Sequence, residues 1–269
     1  MPELPEVETI ARGLARRLTG DSIESVWIGS RKQPLKSPAR LIASTLEGRQ
    51  IRQIRRMGKH IVFDLEMQST LAQWVVHLGM TGRMIVCQPS DEVVKHTHAI
   101  VKFTSGRELR FVDARMFGKL SVYPQGGFDP GGREPLDVDL AAFSEMFRGR
   151  KTPIKSALLN QKLLRGVGNI YADESLFRAG VRPKRQAASL TLPEKERLFK
   201  AVRQVLRQAI KLGGSSVSDY VDADGEEGFF QLEHRVYGRE GDSCLACKTP
   251  IRRMVIAGRS SHYCPKCQK

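Results

Sequence analysis

Cys244-Leu245-Ala246-Cys247 and Cys264-Pro265-Lys266-Cys267 decide the fold of the C-terminal part of this chain. Four thiolates around one zinc ion form a tetrahedral site with no open position, so this arrangement is typical of a structural metal. Residues 248–263 can return between the two pairs as a β-hairpin. The alternative, two disulfides, conflicts with the reducing compartment that the other features of the chain indicate.

Basic residues dominate this predicted hairpin. From Cys244 onward the chain has six lysines and arginines and no acidic residue. The whole chain has the same bias, with 44 Lys and Arg against 29 Asp and Glu and a net charge of +15. Such a surplus favours a polyanionic partner, most often nucleic acid. The alternatives are a zinc ribbon that binds protein and an ordinary basic protein.

The compartment follows from what the sequence lacks. No apolar run is long enough to span a bilayer, and the N-terminal residues do not resemble a signal peptide. A fifth cysteine, Cys87, stands alone in an apolar run, and we expect it to be a buried thiol. These features favour a reducing, cytoplasmic environment.

Upstream of the cysteines the hydrophobic pattern changes along the chain. Residues 22–123 contain short alternating strands, which predicts an antiparallel sandwich or barrel. Residues 124–135 are rich in glycine and proline and form the best candidate linker. Beyond them the pattern is helical. Thr191 and Glu194 form a capping box before a long amphipathic helix that ends at Gly213.

A glycine turn at Gly166-Val167-Gly168 joins two further helical stretches. Its glycines allow close approach of a partner's backbone. The helix that begins near Asn169 offers free N–H groups to an anion such as a phosphate. The alternative is a tight turn with no ligand.

The start of the chain has a candidate nucleophile. Without Met1, Pro2 would be a secondary amine with a pKa of about 8, able to attack a sugar aldehyde carbon. Glu3 and Glu6 lie within reach for proton transfer. The alternative is that these residues only begin the amphipathic helix that the pattern predicts for residues 5–18.

Three more motifs, taken singly, indicate structural roles. Lys59 opens the strand predicted for residues 60–65. Met80 lies between glycines in a loop, and residues 113–118 form a turn at the end of another strand.

Together, these motifs resemble the formamidopyrimidine-DNA glycosylase family of repair enzymes, which remove oxidised purines. The resemblance runs the whole length of the chain. The matching stretches are the start Pro2-Glu3-Leu4-Pro5-Glu6, Lys59, His77-Leu78-Gly79-Met80, Arg115-Met116-Phe117-Gly118, Lys155, the glycine turn through Tyr171, Val236-Tyr237-Gly238, and the four cysteines.

The resemblance implies an α+β fold in three parts. Residues 1–131 would form a catalytic antiparallel β-sandwich with flanking helices, residues 132–235 a helix–two-turn–helix DNA-binding domain, and residues 236–269 a four-cysteine zinc finger β-hairpin. Duplex DNA with oxidised bases or abasic sites would lie between the two lobes. The implied protein is a cytoplasmic, nucleoid-associated monomer with one structural Zn²⁺ and no redox or organic cofactor.

The resemblance also implies roles in catalysis. Pro2 would attack C1′ of the damaged nucleotide, with Glu3 as the general acid and base and Glu6 in support. Lys59 matches the lysine tied to β-elimination. Arg259 matches the zinc finger arginine that binds phosphate and acts in δ-elimination.

Other matching positions are DNA contacts. Met80, Arg115 and Phe117 match the trio that fills the space left by the extruded nucleotide, and Asn169 would hold a phosphate. The remaining DNA-contact positions are His77, His96, Arg150 and Lys155.

The chain departs from the family pattern in two places. Residues 213–230 match the base-capping loop, but Ser215 and Ser216 stand where threonines are common. Met116 stands where relatives often have a second basic residue.

Two alternative functions stay open. An endonuclease VIII-like glycosylase would act on oxidised pyrimidines, but its start usually reads Pro-Glu-Gly-Pro, and this chain has Leu4. A non-catalytic zinc protein that binds damaged DNA would have no use for Pro2, Glu3 and Lys59.

Overall fold

The computed structural model describes residues 1–216 and 227–269, which divide into two compact units. The first unit comprises Met1–Asp129 and Gly213–Gly228, and the second comprises Pro130–Leu212 and Phe229–Lys269. Most of the predicted base-capping loop, residues 217–226, lies outside the described residues.

The first unit begins with an amphipathic helix and a strand. Helix α1 spans Leu4–Leu18, one residue longer than the pattern predicts, and strand β1 spans Ile23–Ile28. The helix forms because its apolar residues recur at a spacing of three and four, so that one face is buried. Val7, Ile10 and Leu14 lie on that buried face.

A short helix interrupts the region that the sequence pattern assigns to strands. Helix α2 spans Ala39–Leu46 and begins directly after Pro38. Only Ile42 and Leu46 are fully buried in it. The expectation of strands throughout residues 22–123 is therefore wrong here, because eight residues with two buried positions give too weak a helical periodicity.

Seven further strands complete two antiparallel sheets. They are β2 (Gln50–Met57), β3 (His60–Met67), β4 (Thr70–His77), β5 (Arg83–Cys87), β6 (Thr97–Phe103), β7 (Glu108–Val112) and β8 (Lys119–Pro124). One four-stranded sheet has the order β1-β6-β7-β5, and the other has the order β2-β3-β4-β8. A hairpin turn at Gly106 joins β6 to β7. Cys87 is half-buried at the end of β5, not fully buried as the sequence predicts.

The core of the first unit lies between these sheets. Alternating residues of β3, including Ile61 and Phe63, share one cluster with Val101 and Phe103 of β6 and with the buried face of α1. This packing confirms the antiparallel sandwich that the sequence predicts. It leaves the strand ends and their loops as the places where polar side chains gather.

The second unit is helical. Its helices are α3 (Leu140–Glu145), α4 (Ile154–Leu159), α5 (Asn169–Ala179) and α6 (Leu192–Lys211). The predicted capping box begins α6, where Thr191 and Glu194 exchange hydrogen bonds. The glycine turn joins α4 to α5, as the sequence predicts.

The second unit ends in a hairpin of two antiparallel strands. Strands β9 (Arg252–Ile256) and β10 (Arg259–Tyr263) pair with each other between the two cysteine pairs. This confirms the predicted zinc finger β-hairpin. In the described part of the chain, no helix combines the length and the apolar character needed to cross a membrane.

Candidate functional site

The chain start is fixed by two buried glutamates in the first turn of α1. The Glu3 N–H donates to Glu6 Oε2 at 2.8 Å, and the Glu3 side chain accepts from the Glu6 backbone in a reciprocal capping box. Glu3 is 4% exposed and Glu6 is 2% exposed. Pro2 is also buried. The structure therefore brings together three of the five predicted catalytic residues within the first unit.

Glu6 also holds the segment that precedes the undescribed residues. Its Oε1 accepts a hydrogen bond from the Ser215 N–H at 2.8 Å. Gly214 has φ +86°, and a Cβ added there would lie 2.8 Å from the same Glu6 oxygen. One carboxylate thus joins the N-terminal segment to Gly214 and Ser215. Neither contact was predicted from the sequence.

Basic side chains meet at one end of the second sheet. Lys59 is 8% exposed in the turn between β2 and β3. His60 pairs with His77 across β3 and β4, with ring centroids 4.9 Å apart. Burial and the charges of Lys59 and Lys119 lower the pKa of His77. The lowered pKa keeps His77 neutral at physiological pH, so the positive charge beside it is that of Lys59 and Lys119.

The neighbouring histidine, His60, also has a lowered pKa, and burial is the largest cause. It lowers the pKa of His60 to about 4, and the charges of His77 and Lys36 act in the same direction. The His77 ring has a defined orientation because its Nδ1 accepts from the Gly79 N–H at 3.1 Å. His77 was predicted as a DNA contact, whereas His60 was not singled out by any sequence motif.

The predicted trio lies on two loops of the first unit. Met80 is 40% exposed on the β4–β5 loop, and Phe117 is 53% exposed on the β7–β8 loop. The Arg115 guanidinium lies 4.9 Å from the centre of the Phe117 ring, a cation–π contact. The loops touch at Gly79, where an added Cβ would lie 2.5 Å from backbone atoms of Phe117 and Gly118. Exposed apolar and cationic groups of this kind suit insertion into a base stack.

His96 is the last residue of the β5–β6 connection, directly before β6. It is exposed and has φ +69°, a left-handed conformation. Its carbonyl oxygen accepts from the Asp113 N–H at 3.0 Å, which ties its backbone to the loop that bears Arg115.

In the second unit, Gln161 shapes the glycine turn. Its side chain accepts from the Gly166 N–H at 2.9 Å and donates to the carbonyl of Val167 at 2.8 Å. Gly166 has φ +92°, which favours glycine. The turn leads into α5 through Gly168, whose N-cap position has no side chain that could occupy the free N–H groups. A phosphate oxygen can accept hydrogen bonds from these N–H groups.

Asn169 is the first residue of α5. Its Nδ2 donates to Ser260 Oγ at 3.4 Å, and its Oδ1 is buried with no hydrogen-bond partner among the described residues. Ser260 follows Arg259, which is exposed at the start of β10. The structure therefore places Asn169 in contact with the residue that follows Arg259 in β10.

Lys155 lies in the interior of the second unit. It is fully buried, and its Nζ lies 2.7 Å from Asp173 Oδ1 and donates to the Ser260 carbonyl at 2.6 Å. This position joins α4, α5 and β10 and differs from the exposed position that a direct DNA contact suggests. Arg150, the other predicted contact outside the main motifs, is half-buried and donates to the Met146 carbonyl at 2.6 Å.

Two adjacent acids on α5, Asp173 and Glu174, were not predicted as functional from the sequence. Asp173 accepts from the His262 N–H at 2.9 Å and from the Ser261 hydroxyl at 3.1 Å. Glu174 accepts three backbone N–H groups, from Arg235, Val236 and Tyr237, and burial raises its pKa. The sequence feature that could have indicated them is a pair of adjacent acids within a helix of a strongly basic chain.

The four cysteines fit a zinc ion. Their sulfur atoms all lie within 4.8 Å of one another, with Cys244 and Cys267 at 3.9 Å and Cys247 and Cys264 at 3.4 Å. Tetrahedral zinc with Zn–S bonds of about 2.3 Å requires sulfur separations of about 3.8 Å. Hydrogen bonding from Thr249 lowers the pKa of Cys247 to about 6, whereas burial raises the pKa of Cys264 and of Cys267. The donor set is closed, so the metal cross-links the hairpin.

Known proteins resemble the whole chain. Residues 1–120 match the formamidopyrimidine-DNA glycosylase N-terminal domain, residues 131–221 match the H2TH domain of the same enzyme, and residues 241–269 match a zinc finger found in FPG and IleRS. A formamidopyrimidine-DNA glycosylase of Solibacter usitatus is 46% identical, and the alignment covers 100% of both chains.

Solved structures agree with these sequence matches. Lactococcus lactis Fpg in complex with DNA containing an abasic site has a TM-score of 0.92 and 33% identity, and the match covers 99% of each chain. The wild-type Lactococcus lactis protein with DNA containing N7-benzyl-Fapy-dG has a TM-score of 0.91 and 33% identity, with 100% of each chain covered.

Proposed function

The chain belongs to the formamidopyrimidine-DNA glycosylase family and is a DNA glycosylase of base excision repair, and on this premise we propose that it removes oxidised purines and nicks the strand as an AP lyase. The proposed substrates are 8-oxoguanine and formamidopyrimidines in duplex DNA. The observation that supports this most directly is the reciprocal hydrogen bonding of Glu3 and Glu6, which fixes Pro2 beside two buried carboxylates.

Pro2 supplies the nucleophile once Met1 is removed. The damaged nucleotide must first leave the base stack, because its C1′ is inaccessible inside the duplex. The Pro2 nitrogen then forms a bond to C1′, and the bond from C1′ to the base breaks as the base leaves with the electron pair. The proton lost from the Pro2 nitrogen neutralises the departing base, which frees the nitrogen lone pair. Glu3 donates a proton to the ring oxygen, the sugar opens, and the nitrogen lone pair completes an iminium ion.

Strand cleavage follows from this iminium ion. It acidifies the C2′–H bond, and loss of that proton expels the 3′-phosphate by β-elimination. A second elimination expels the 5′-phosphate from C5′. We assign proton transfer in the first elimination to Lys59. In the second elimination we assign to Arg259 the binding of the departing phosphate, whose negative charge its permanently charged guanidinium stabilises. Glu6 supports the site by holding the Glu3 backbone and Ser215.

Binding to DNA uses both units. Zinc, bound by the four cysteines, supplies a cross-link that keeps the basic hairpin folded. Asn169 and the N-terminus of α5 hold a phosphate. Further contacts to the DNA backbone come from Arg259, Arg150 and His96. Met80, Arg115 and Phe117 fill the space that the extruded nucleotide leaves. The buried position of Lys155 favours an indirect role for it in this interface.

Incision of a lesion panel tests the proposed substrate class. The protein, with Met1 removed, is incubated with otherwise identical duplexes that contain 8-oxoguanine opposite cytosine, formamidopyrimidine-guanine, or thymine glycol. We expect the purine lesions to be cut faster, with phosphate left at both ends of the gap, as β,δ-elimination requires. A clear preference for thymine glycol would reject the purine assignment, and intact strands that carry abasic sites would reject the lyase assignment.

A further inference from the structure

We propose that Asp113 is a positioning residue that holds Met80, Arg115 and Phe117 in one preformed wedge before DNA is bound. This inference rests on the proposed function, in which the three side chains fill the space of the extruded nucleotide. The Asp113 side chain is itself inaccessible from the surface. It is fully buried directly after β7, at the base of the two loops that carry the wedge.

The Asp113 carboxylate binds both loops at once. Oδ1 accepts from the Thr81 hydroxyl at 2.5 Å and from the Arg115 N–H at 3.2 Å. Oδ2 accepts from the Gly118 N–H at 2.8 Å. Thr81 follows Met80, Gly118 follows Phe117, and Arg115 belongs to the wedge itself. Each donor therefore adjoins a wedge residue in the chain or is itself one.

The Asp113 backbone is fixed as firmly as its side chain. Its N–H donates to the His96 carbonyl at 3.0 Å, and its own carbonyl lies 2.9 Å from Nε2 of the buried His98. Among the described residues, no lysine or arginine side chain forms an ion pair with this carboxylate, and Arg115 donates to it only through its backbone N–H. A buried carboxylate with only loop donors is explained by the loop geometry that it enforces, because an ion pair does not account for its burial.

The loop that Asp113 closes is strained. Met116, between Arg115 and Phe117, has φ +55°, a conformation that residues other than glycine rarely adopt. Such a conformation persists only when the surroundings determine it. Close contact at Gly79 and the hydrogen bond to Gly118 supply that constraint. The wedge is thus ordered by folding, and inserting it into DNA costs little further loss of conformational entropy.

This preformed wedge has a specific kinetic consequence. It contributes where a paired base must be pushed out and its space filled, and it contributes little where the nucleotide is already unpaired. Loss of Asp113 should therefore slow excision of a paired lesion much more than excision of the same lesion in an unpaired site. A residue needed only for folding would affect both substrates alike.

Asp113→Asn and Thr81→Val test this selectively. The amide introduced by Asp113→Asn would present donors where the loops also present donors, and Thr81→Val removes the hydroxyl that the Asp113 carboxylate binds. Single-turnover excision is measured with 8-oxoguanine paired with cytosine and with 8-oxoguanine in an unpaired bulge. We expect a loss of about tenfold or more on the paired substrate, by analogy with other small misplacements at active sites. On the bulge the loss should be several times smaller.

Fluorescence of 2-aminopurine placed opposite the lesion reports wedge insertion without any chemistry. We expect the fluorescence change to appear more slowly with both variants than with the wild type. Asp64→Asn is the matched control, because Asp64 is also a buried carboxylate of the first unit but binds Arg55 and Gln73. It should leave the ratio of paired to unpaired rates unchanged.

Several outcomes separate this inference from the proposed function. Equal losses on paired and bulged lesions, or unchanged rates in Thr81→Val and Asp113→Asn, would overturn the role of Asp113. If Asp113→Asn does not fold, Thr81→Val carries the test. A wild-type protein that gives the fluorescence change but never incises would reject the proposed chemistry, while the fluorescence of the variants would still decide the positioning role.

Discussion

Glu6 uses its two oxygens for two different segments of the first unit. One accepts from the Glu3 N–H and the other from the Ser215 N–H, both at 2.8 Å. Because a carboxylate cannot move toward one donor without leaving the other, the chain start and Ser215 are positioned together. Buried charge-assisted hydrogen bonds of this kind are among the stronger ones in proteins.

Gly214→Ala should damage this connection. An alanine there would be strained at φ +86°, and its Cβ would lie 2.8 Å from Glu6 Oε1. Gly20→Ala is the matched control, because Gly20 has the same φ of +86° with nothing within 4 Å of the added Cβ. Both variants should lose about 1 kcal/mol of stability from backbone strain. Only Gly214→Ala should also slow base excision, measured in single-turnover assays. Equal rates in the two variants would contradict the connection.

The residue motifs were predictable only where they are local in sequence. Two motifs have all their residues within a few positions of one another, so the sequence alone indicates them. They are the start of α1 with Pro2 and Glu3, and each of the two cysteine pairs. In contrast, the Asp113 carboxylate binds the hydroxyl of Thr81, and the Asp173 carboxylate binds the hydroxyl of Ser261, and both partners are distant in the sequence. An acid looks the same in the sequence whether or not distant donors bury it, so these residues became visible only in the structure.

At the scale of elements, α5 holds the zinc hairpin by two consecutive acids. Asp173 binds β10, and Glu174 binds the backbone of residues 235–237, which lead into the cysteine segment. Lys155 of α4 completes the arrangement from the other side through Asp173 and the Ser260 carbonyl. The position of Arg259 therefore depends on these buried groups.

Lys155→Met should loosen this anchor. It leaves the Asp173 carboxylate buried without its cation, and breaking a buried ion pair typically costs about 3 kcal/mol or more. We expect a lower unfolding temperature and weaker DNA binding, with zinc content retained. Lys200→Ala is the control, because the Lys200–Glu196 pair is exposed. Normal stability and affinity in Lys155→Met would show that the ion pair does not position the hairpin.

Cys247→Ser tests the metal itself. Three remaining thiolates bind zinc more weakly, and the hairpin has only a small apolar cluster around Val236 and Ile251 to keep it folded. Zinc content, measured by atomic absorption, and DNA affinity should fall together. Normal DNA binding by metal-free protein would place the hairpin outside the interface.

Element types were predictable where periodicity is strong. Helix α6 has a capping box, a long apolar stripe and a terminal glycine, and the sequence predicts it almost to the residue. Helix α2 and the six-residue helices α3 and α4 have too few turns to establish a periodicity. Their positions are set by packing instead.

At the scale of the whole molecule, the chain divides into the two units described above. We propose a finer division by role, with catalysis in residues 1–131, phosphate binding by the helical residues 132–235, and the zinc finger in residues 236–269. The net charge of +15 gives this arrangement a long-range attraction to DNA that should weaken with added salt.

Stability of the first unit should fall in mild acid because of His60. Its pKa is about 4 in the folded protein against 6.5 for the ordinary group, so the unfolded chain binds a proton first. The stabilising effect of neutral His60 is complete above pH 6.5 and is lost as the pH falls toward 4. At pH 5 the loss is about 2 kcal/mol by proton linkage.

His60→Gln should remove part of this acid sensitivity. Urea unfolding of the wild type and the variant at about pH 7 and pH 5 gives the difference directly, and comparing the two proteins cancels the contributions of other groups, including the cysteines. An equal loss of stability in both proteins would contradict a buried, neutral His60.

Borohydride trapping on abasic-site DNA tests the central claim most directly. The protein, with Met1 removed, is incubated with the duplex and sodium borohydride, and the covalent complex is digested and mapped by mass spectrometry. Reduction of the iminium ion should leave the sugar attached to the nitrogen of Pro2. A complex attached to Lys59 or another lysine, or no complex at all under conditions where DNA is bound, would contradict the assignment of Pro2 as the nucleophile.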